Sequence, residues 1–248
     1  MNDEPVYIFG RHPIEEILAS EPKRIQKIFV KDGIEPKFLD YLKKESSANR
    51  IPIMYVDMKK IISLVGDVNH QGVAALVSEI PFIELKDWIK TLDFSKNPCC
   101  VLLDELEDPY NVGAIIRTAT AAGVDGIIFG KHHQAPMSPV VYKTSAGTIG
   151  KVPLIRVTNI NDAIAKLKES KFWIVGLDGT AKQNIWEGEF DSPTCFIIGG
   201  EGSGIREKTL EHCDFTFSIP MENGVESLNA SVSAAIVLYE WRRQRLPE

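Results

Sequence analysis

Apolar and polar positions repeat along the chain in alternating short and long periods. In the first third, Val6–Phe9, Ile25–Val30, Pro52–Val56 and Gly72–Ser78 are short apolar runs that read as strands. Helical spacing separates them. Ile14, Ile17 and Leu18 follow Gly10-Arg-His-Pro, with Pro13 in the first turn, and further helices are expected over Pro36–Lys44 and Lys59–Val65. Pro81–Lys96 carries one amphipathic helix around Leu85, Trp88, Ile89 and Leu92. The rhythm then becomes regular. Strands are predicted at Cys99–Leu103, Gly126–Phe129, Pro153–Val157, Phe172–Leu177, Cys195–Ile198 and Phe215–Ile219. Helices are predicted at Pro109–Ala122, Val140–Ile149, Ile160–Ser170 and Gly204–His212, with one more closing the chain. This alternation predicts an α/β fold, a mostly parallel sheet with helices on both faces. Ligands of such sheets gather at the carboxyl ends of the strands. The change of rhythm divides the chain into a small α/β domain (1–80), a linker (81–96) and a larger domain (97–248).

The closing helix breaks the ordinary amphipathic pattern. No residue from Ser227 to Tyr239 is charged, and then Glu240, Arg242, Arg243 and Arg245 follow together. A helix uncharged for three turns is expected to be buried on most sides. Its first turn is nevertheless Ser227-Leu-Asn-Ala-Ser, with Ser227 or Asn229 available as the cap. A capped core helix accounts for this stretch taken alone. Two earlier loops change the reading.

In the first loop, Asp108 caps and Pro109 starts a helix, which places Asn111 in the first turn and Arg117 about 9 Å further along at ~1.5 Å per residue. The helical neighbours of Arg117 are Gly113, Ala114, Thr120 and Ala121, a face cleared of bulk. An arginine there is placed to meet a ligand or another backbone, unless it only snorkels over a packed helix. In the second loop, a buried strand runs into glycines at 199, 200, 202 and 204 before a helix. Such a loop lets backbone amides approach a ligand closely. It matches neither Gly-x-Gly-x-x-Gly nor a phosphate loop. Glu201 in its middle suits a cation, a sulfonium or an arginine, better than a phosphate.

Composition narrows the choices modestly. The net charge of −6 opposes indiscriminate nucleic-acid binding, and acidic residues outnumber basic ones on both sides of residue 80. A nucleic-acid partner must then be met by a local patch; Arg11, His12, His70 and Gln71, beside strand ends, are the candidates. Cys99, Cys100, Cys195 and Cys213 lack Cys-x-x-Cys spacing and read as buried thiols, and adjacent His132 and His133 do not chelate well together, so no metal is expected. The N-terminus has no signal-peptide pattern and no run approaches a membrane span, which makes a cytoplasmic location the expectation.

Three segments, Asp-Pro-x-Asn-x-Gly-x-x-x-Arg-Thr-Ala from Asp108, Gly-x-Glu-Gly-x-Gly from Gly199 and Ile-Pro-Met-x-x-x-x-Glu-Ser-Leu-Asn-x-Ser-Val from Ile219, resemble in order and spacing the SPOUT class of RNA ribose 2′-O-methyltransferases. The resemblance covers residues 98–245; Thr148 departs from it where relatives often carry alanine. More loosely, Ile8-Phe-Gly-Arg-His-Pro-Ile and His70-Gln-Gly-Val resemble the ribosomal-protein-like RNA-binding domain of the branch that methylates a guanosine of 23S ribosomal RNA. The resemblance implies a trefoil-knotted sheet, S-adenosylmethionine bound in the knot, and a homodimer. By position, it implies that the backbone of Gly199, Ile219 and Leu228 holds the cofactor. Asn111, Arg117, Glu201, Ser227 and Asn229 fall where it places groups around the methyl and the target ribose.

A guanidinium keeps its proton at any physiological pH, so Arg117 is expected to stabilise a developing alkoxide rather than to act as a base. Asn111 and Ser227 would be hydrogen-bond partners, and Glu201 would orient Arg117 or Asn111. Two alternatives stand beside this reading: a transfer RNA ribose as substrate, or an RNA-binding protein without catalysis.

Overall fold

The fold is that of a computed structural model, which describes residues 5–78, 80–202 and 204–246. Met1–Glu4, part of the stretch read for a signal peptide, and Ser203 of the glycine-rich loop lie outside them. In chain order the elements are β1 (Val6–Phe9), α1 (Arg11–Ser20), β2 (Ile25–Lys31), α2 (Pro36–Asn49), β3 (Ile53–Val56), α3 (Met58–Val65) and β4 (Val73–Val77). There follow α4 (Leu85–Lys90), β5 (Cys99–Asp104), α5 (Pro109–Ala122), β6 (Gly126–Gly130), α6 (Pro139–Thr144), β7 (Leu154–Val157), α7 (Ile160–Glu169) and β8 (Trp173–Leu177). The last are β9 (Gln183–Asn184), β10 (Thr194–Gly199), α8 (Glu207–Leu210), β11 (Phe215–Ser218) and α9 (Ala230–Arg243).

These elements form two compact units. The first comprises residues 1–80 and 137–150 and is built on a four-stranded sheet of order β1-β4-β2-β3, in which only the β2–β3 pair is parallel. Residues 137–150, read from sequence as part of the larger domain, pack here. The Lys143 ammonium lies 5.1 Å from the centre of the Phe9 ring, and Arg24 donates to the Tyr142 hydroxyl at 3.0 Å. Their helix is also shorter than predicted. Ala146 and Gly147 turn left-handed, with φ of 49° and 74°, and end the regular turns after Thr144.

The second unit holds residues 81–136 and 151–248 around a seven-stranded sheet of order β7-β6-β5-β10-β8-β11-β9. Every pairing in it is parallel. Strand β5 is buried at every residue, as a strand covered on both faces must be. On one face, Ile160, Ile164 and Leu167 of α7 and Leu85 and Trp88 of α4 pack with Cys100, Leu102, Ile128 and Ile174. On the other, α9 packs against α5 and β10.

The stretch read as a linker is therefore part of this core. Trp88 is 1% exposed and its indole donates to the Asp125 carbonyl at 2.9 Å. The ring packs so close to the sheet that a Cβ added at Gly126 would stand 2.7 Å from it. The closing helix departs from its reading too. Val232 and Tyr239 are exposed, whereas Glu240 is buried and accepts from Arg243 and Gln244 at 2.8 Å.

Candidate active site

Strands β8, β10 and β11 run parallel, so their carboxyl ends open on one side of the sheet. There Leu177–Gly179, Ile198–Gly202, Gly204, Ile205, Phe217, Ile219, Met221 and Glu226–Ala230 enclose a cavity of about 350 Å³, within the usual range for small-molecule sites. It gathers Gly199, Glu201, Ile219, Ser227, Leu228 and Asn229 from separate loops.

Close backbone packing shapes the glycine-rich loop. A Cβ on Gly199 would sit 2.1 Å from the Gly204 carbonyl carbon, and one on Gly200 would sit 2.5 Å from the Glu105 oxygen. No side chain fits at either place. Gly202 and Gly204 have positive φ, 82° and 65°, which only glycine adopts without strain. The loop is then pinned to the end of β5. Asp104, 0% exposed, accepts from Arg206 through its backbone N–H at 3.2 Å and through Nε at 2.9 Å, with Nη2 at 2.6 Å. Nη1 of the same arginine reaches Glu105 at 3.0 Å. These carboxylates raise the affinity of Arg206 for its proton. Sequence reasoning missed this clamp; the one available signal was a carboxylate ending an otherwise apolar strand.

Asn229, not Ser227, caps α9. Its side-chain oxygen accepts from the N–H groups of Ser231 at 2.9 Å and Val232 at 3.4 Å. Its amide donates to Glu201 at 3.3 Å, which joins the glycine loop to the closing helix across the cavity mouth. Glu201 thus meets Asn229 rather than the expected Arg117 or Asn111. Ser227 is exposed on the cavity wall.

Neither α5 residue lines this cavity. Asn111 is buried and donates to the capping Asp108 at 3.0 Å. Arg117 is exposed, and no hydrogen bond or ion pair holds it among the described residues.

Of the residues proposed to meet RNA, Arg11, His70 and Gln71 line a cleft of the first unit with Lys31 and Asn69, whereas His12 stands outside it. Gln71 accepts from the Arg11 backbone N–H at 3.0 Å, and Arg11 pairs with Glu35 while stacking 5.1 Å from the Phe38 ring centre. His70 is buried, and its Nδ1 accepts from the Gly72 N–H at 3.0 Å.

Comparison with known proteins gives this geometry a context. The SpoU rRNA Methylase family profile matches residues 98–239. The chain belongs to the SpoU rRNA methylase family. A second profile, described as RNA 2′-O ribose methyltransferase substrate binding, matches residues 7–82. The 23S rRNA (guanosine-2′-O-)-methyltransferase RlmB of Pseudomonas putida is 36% identical over 96% of each chain. A Staphylococcus epidermidis protein, whose name places it in the TrmH family of tRNA/rRNA methyltransferases, is 35% identical over 98% of this chain and 97% of its own. Among solved structures, the SpoU methyltransferase AviRb from Streptomyces viridochromogenes in complex with the cofactor AdoMet superposes with a TM-score of 0.79 at 26% identity. That superposition covers 97% of this chain and 90% of the other. Family membership, the large parallel sheet and the cavity at its carboxyl edge agree with one another.

Proposed function

We propose that this SpoU-family chain transfers a methyl group from S-adenosylmethionine to a ribose 2′-hydroxyl of RNA, at a guanosine of 23S ribosomal RNA. The observation that carries the reading is the character of the carboxyl-edge cavity. Its described lining includes Asp178, Glu201 and Glu226 but no lysine, arginine or histidine, which suits a cation and not a phosphate. Leu177, Ile198, Phe217 and Leu228 offer apolar surface for an adenine ring, and the backbone of Gly199, Ile219 and Leu228 offers donors and acceptors for its edge. When bound, S-adenosylmethionine supplies an electrophilic methyl on a sulfonium. The chain's own task is to place the ribose oxygen in line with it and to ease the loss of its proton.

For that task Arg117 and Asn111 must come near Ser227 and Asn229. We infer a homodimer in which the partner subunit's Arg117 does so. The exposed Arg117 beside Tyr110 on α5, and the exposed Val232 and Tyr239 on α9, make an apolar and cationic face that suits a second copy. The guanidinium there would stabilise the developing alkoxide, with Ser227 as a hydrogen-bond partner. We further propose that the chain forms a trefoil knot: β10 lies between β5 and β8, and the 219–229 segment returns past the glycine loop before α9. Residues 1–80 would bind RNA through the cleft holding Arg11, His70 and Gln71, and the reaction would take place in the cytoplasm.

Primer extension across ribosomal RNA from a deletion strain tests this reading. Loss of a single 2′-O-methyl stop in 23S RNA, restored by the gene, is expected. Loss in a transfer RNA alone would move the substrate to the alternative, and no loss together with no calorimetric binding of S-adenosylmethionine would leave a non-catalytic binder.

A further inference from the structure

Trp173 and Phe215 begin β8 and β11, and each keeps nearly half its surface in solvent, 48% and 43%. Their ring centres are 5.4 Å apart. Side chains of a strand alternate between faces, so Trp173 and Val175 share one face, and the parallel register brings Thr194, Phe215 and Phe217 onto it. Beside them the 183–191 segment walls a cleft of about 320 Å³. It lies along this face of the sheet and shares the Phe217 ring with the glycine-loop cavity.

The floor is firmly built. Phe190 meets Phe196 and Phe217 edge-on at 5.2 and 5.8 Å, and a Cβ on Gly188 would stand 2.6 Å from the Phe190 ring. The rim is charged with one sign. Glu187, Glu189 and Asp191 line it, and no basic side chain does among the described residues. Glu187 is partly committed, accepting from the Asn184 N–H at 2.9 Å, and Asp191 accepts from the Ser192 hydroxyl at 3.2 Å. Glu189 has no such partner among the described residues.

Aromatic faces carry negative charge density, and carboxylates beside them add to it; together they attract cations, guanidinium above all. The same arrangement repels a phosphate backbone. The chain itself stacks guanidinium on rings elsewhere, Arg156 on Phe82 at 3.6 Å and Arg245 on Trp241 at 4.8 Å. We propose that this cleft docks an arginine- or lysine-bearing segment of a basic polypeptide. The occupant follows from charge complementarity, since a second copy would bring the same net charge of −6. The docking does not depend on the methyl-transfer reading. Only its consequence does: RNA already carrying basic polypeptides would be gripped at two points.

Full-length protein titrated with fluorescein-labelled octa-arginine and octa-lysine, read by anisotropy at about 0.15 M salt, tests the proposal. Saturable one-to-one binding is expected, weakened about tenfold by Trp173→Leu/Phe215→Leu and by Glu189→Gln. Glu169→Gln, an equal charge change on exposed α7 surface, should leave it unaltered, and octa-glutamate should not bind. Glu189→Gln alters one exposed side chain, so it decides the matter should the aromatic pair variant fold poorly. Equal affinity in all variants would reduce the effect to diffuse surface charge and overturn the proposal. So would the absence of binding, or wild-type assemblies in sedimentation that dissociate in the aromatic variant, which would assign the cleft to a second copy.

Discussion

The glycine-loop cavity and helix α5 hold the two halves of the candidate site, and they differ in completeness. The cavity half is finished within one chain. Backbone contacts too tight for a Cβ hold Gly199 and Gly200, Asp104 and Arg206 clamp the loop, and the Glu201–Asn229 bond joins it to α9. The α5 half keeps Asn111 bound to its own helix cap and leaves Arg117 in solvent. A cofactor pocket built from backbone is preorganised at no further cost, whereas an isolated guanidinium gains direction only from a partner. The contrast suggests that methyl-donor binding and methyl transfer respond to different residues.

The sharpest way to break that contrast is Arg117→Ala. Turnover should fall at least about 100-fold with the S-adenosylmethionine dissociation constant unmoved by calorimetry. A parallel loss of both would place Arg117 in the cavity half after all. Arg117→Lys should recover little, since it keeps the charge and loses the fork. If the partner subunit's Arg117 completes the cavity, as proposed, mixed dimers of Arg117→Ala and Asn229→Ala subunits should regain activity that neither variant alone reaches, because one of the two composite sites is then intact.

Next in size is Arg206→Ala, which strips the buried Asp104 carboxylate of its counterion and leaves it the backbone N–H of residue 206. About 2–3 kcal/mol of stability should be lost in urea unfolding, toward the low end because Arg206 is itself partly exposed. Cofactor binding should weaken with it. Asn229 separates cap from site. Asn229→Ala should cost about 1 kcal/mol of stability and loosen cofactor binding, both measurable by thermal shift. Asn229→Asp keeps the cap but sets a carboxylate against Glu201, so melting should hold while cofactor affinity falls.

The smallest effect concerns pH. Hydrogen bonds from Arg243 hold the Glu240 carboxyl below the usual carboxylate range, against the opposing push of burial. A lowered folded-state pKa gives stability that is present above the ordinary value and lost as pH falls through the lowered one. Below about pH 4 the melting temperature of the wild type should therefore drop more steeply than that of Glu240→Gln.

Local chemistry was the legible part of this sequence. Asp108, Pro109 and Gly123 mark both ends of α5, because cap, first turn and left-handed stop each demand a particular residue type. The glycine-rich loop was equally visible. What stayed hidden depends on remote partners. Trp88 looked like part of a linker because nothing near it in sequence shows that Gly126 leaves room for its ring. The uncharged face of α9 suggested burial, since sequence does not distinguish a core face from one left open at Val232 and Tyr239. The burial of Glu240 was not legible because its partners, Arg243 and Gln244, sit three and four positions on, a spacing just as common on solvated helices. Arg117 was placed correctly on its helix, but which cavity a helix faces is a property of the whole sheet.

The strand order carries a consequence for how the protein comes into being. Strand β10 inserts between β5 and β8, and the 219–233 segment supplies the far wall of the donor cavity, so the site is completed only after every strand of this sheet has been made. Copies terminated before residue 219 would have the sheet's apolar strands yet no means of capturing a methyl donor, and competence would arrive only once the following segment had been made.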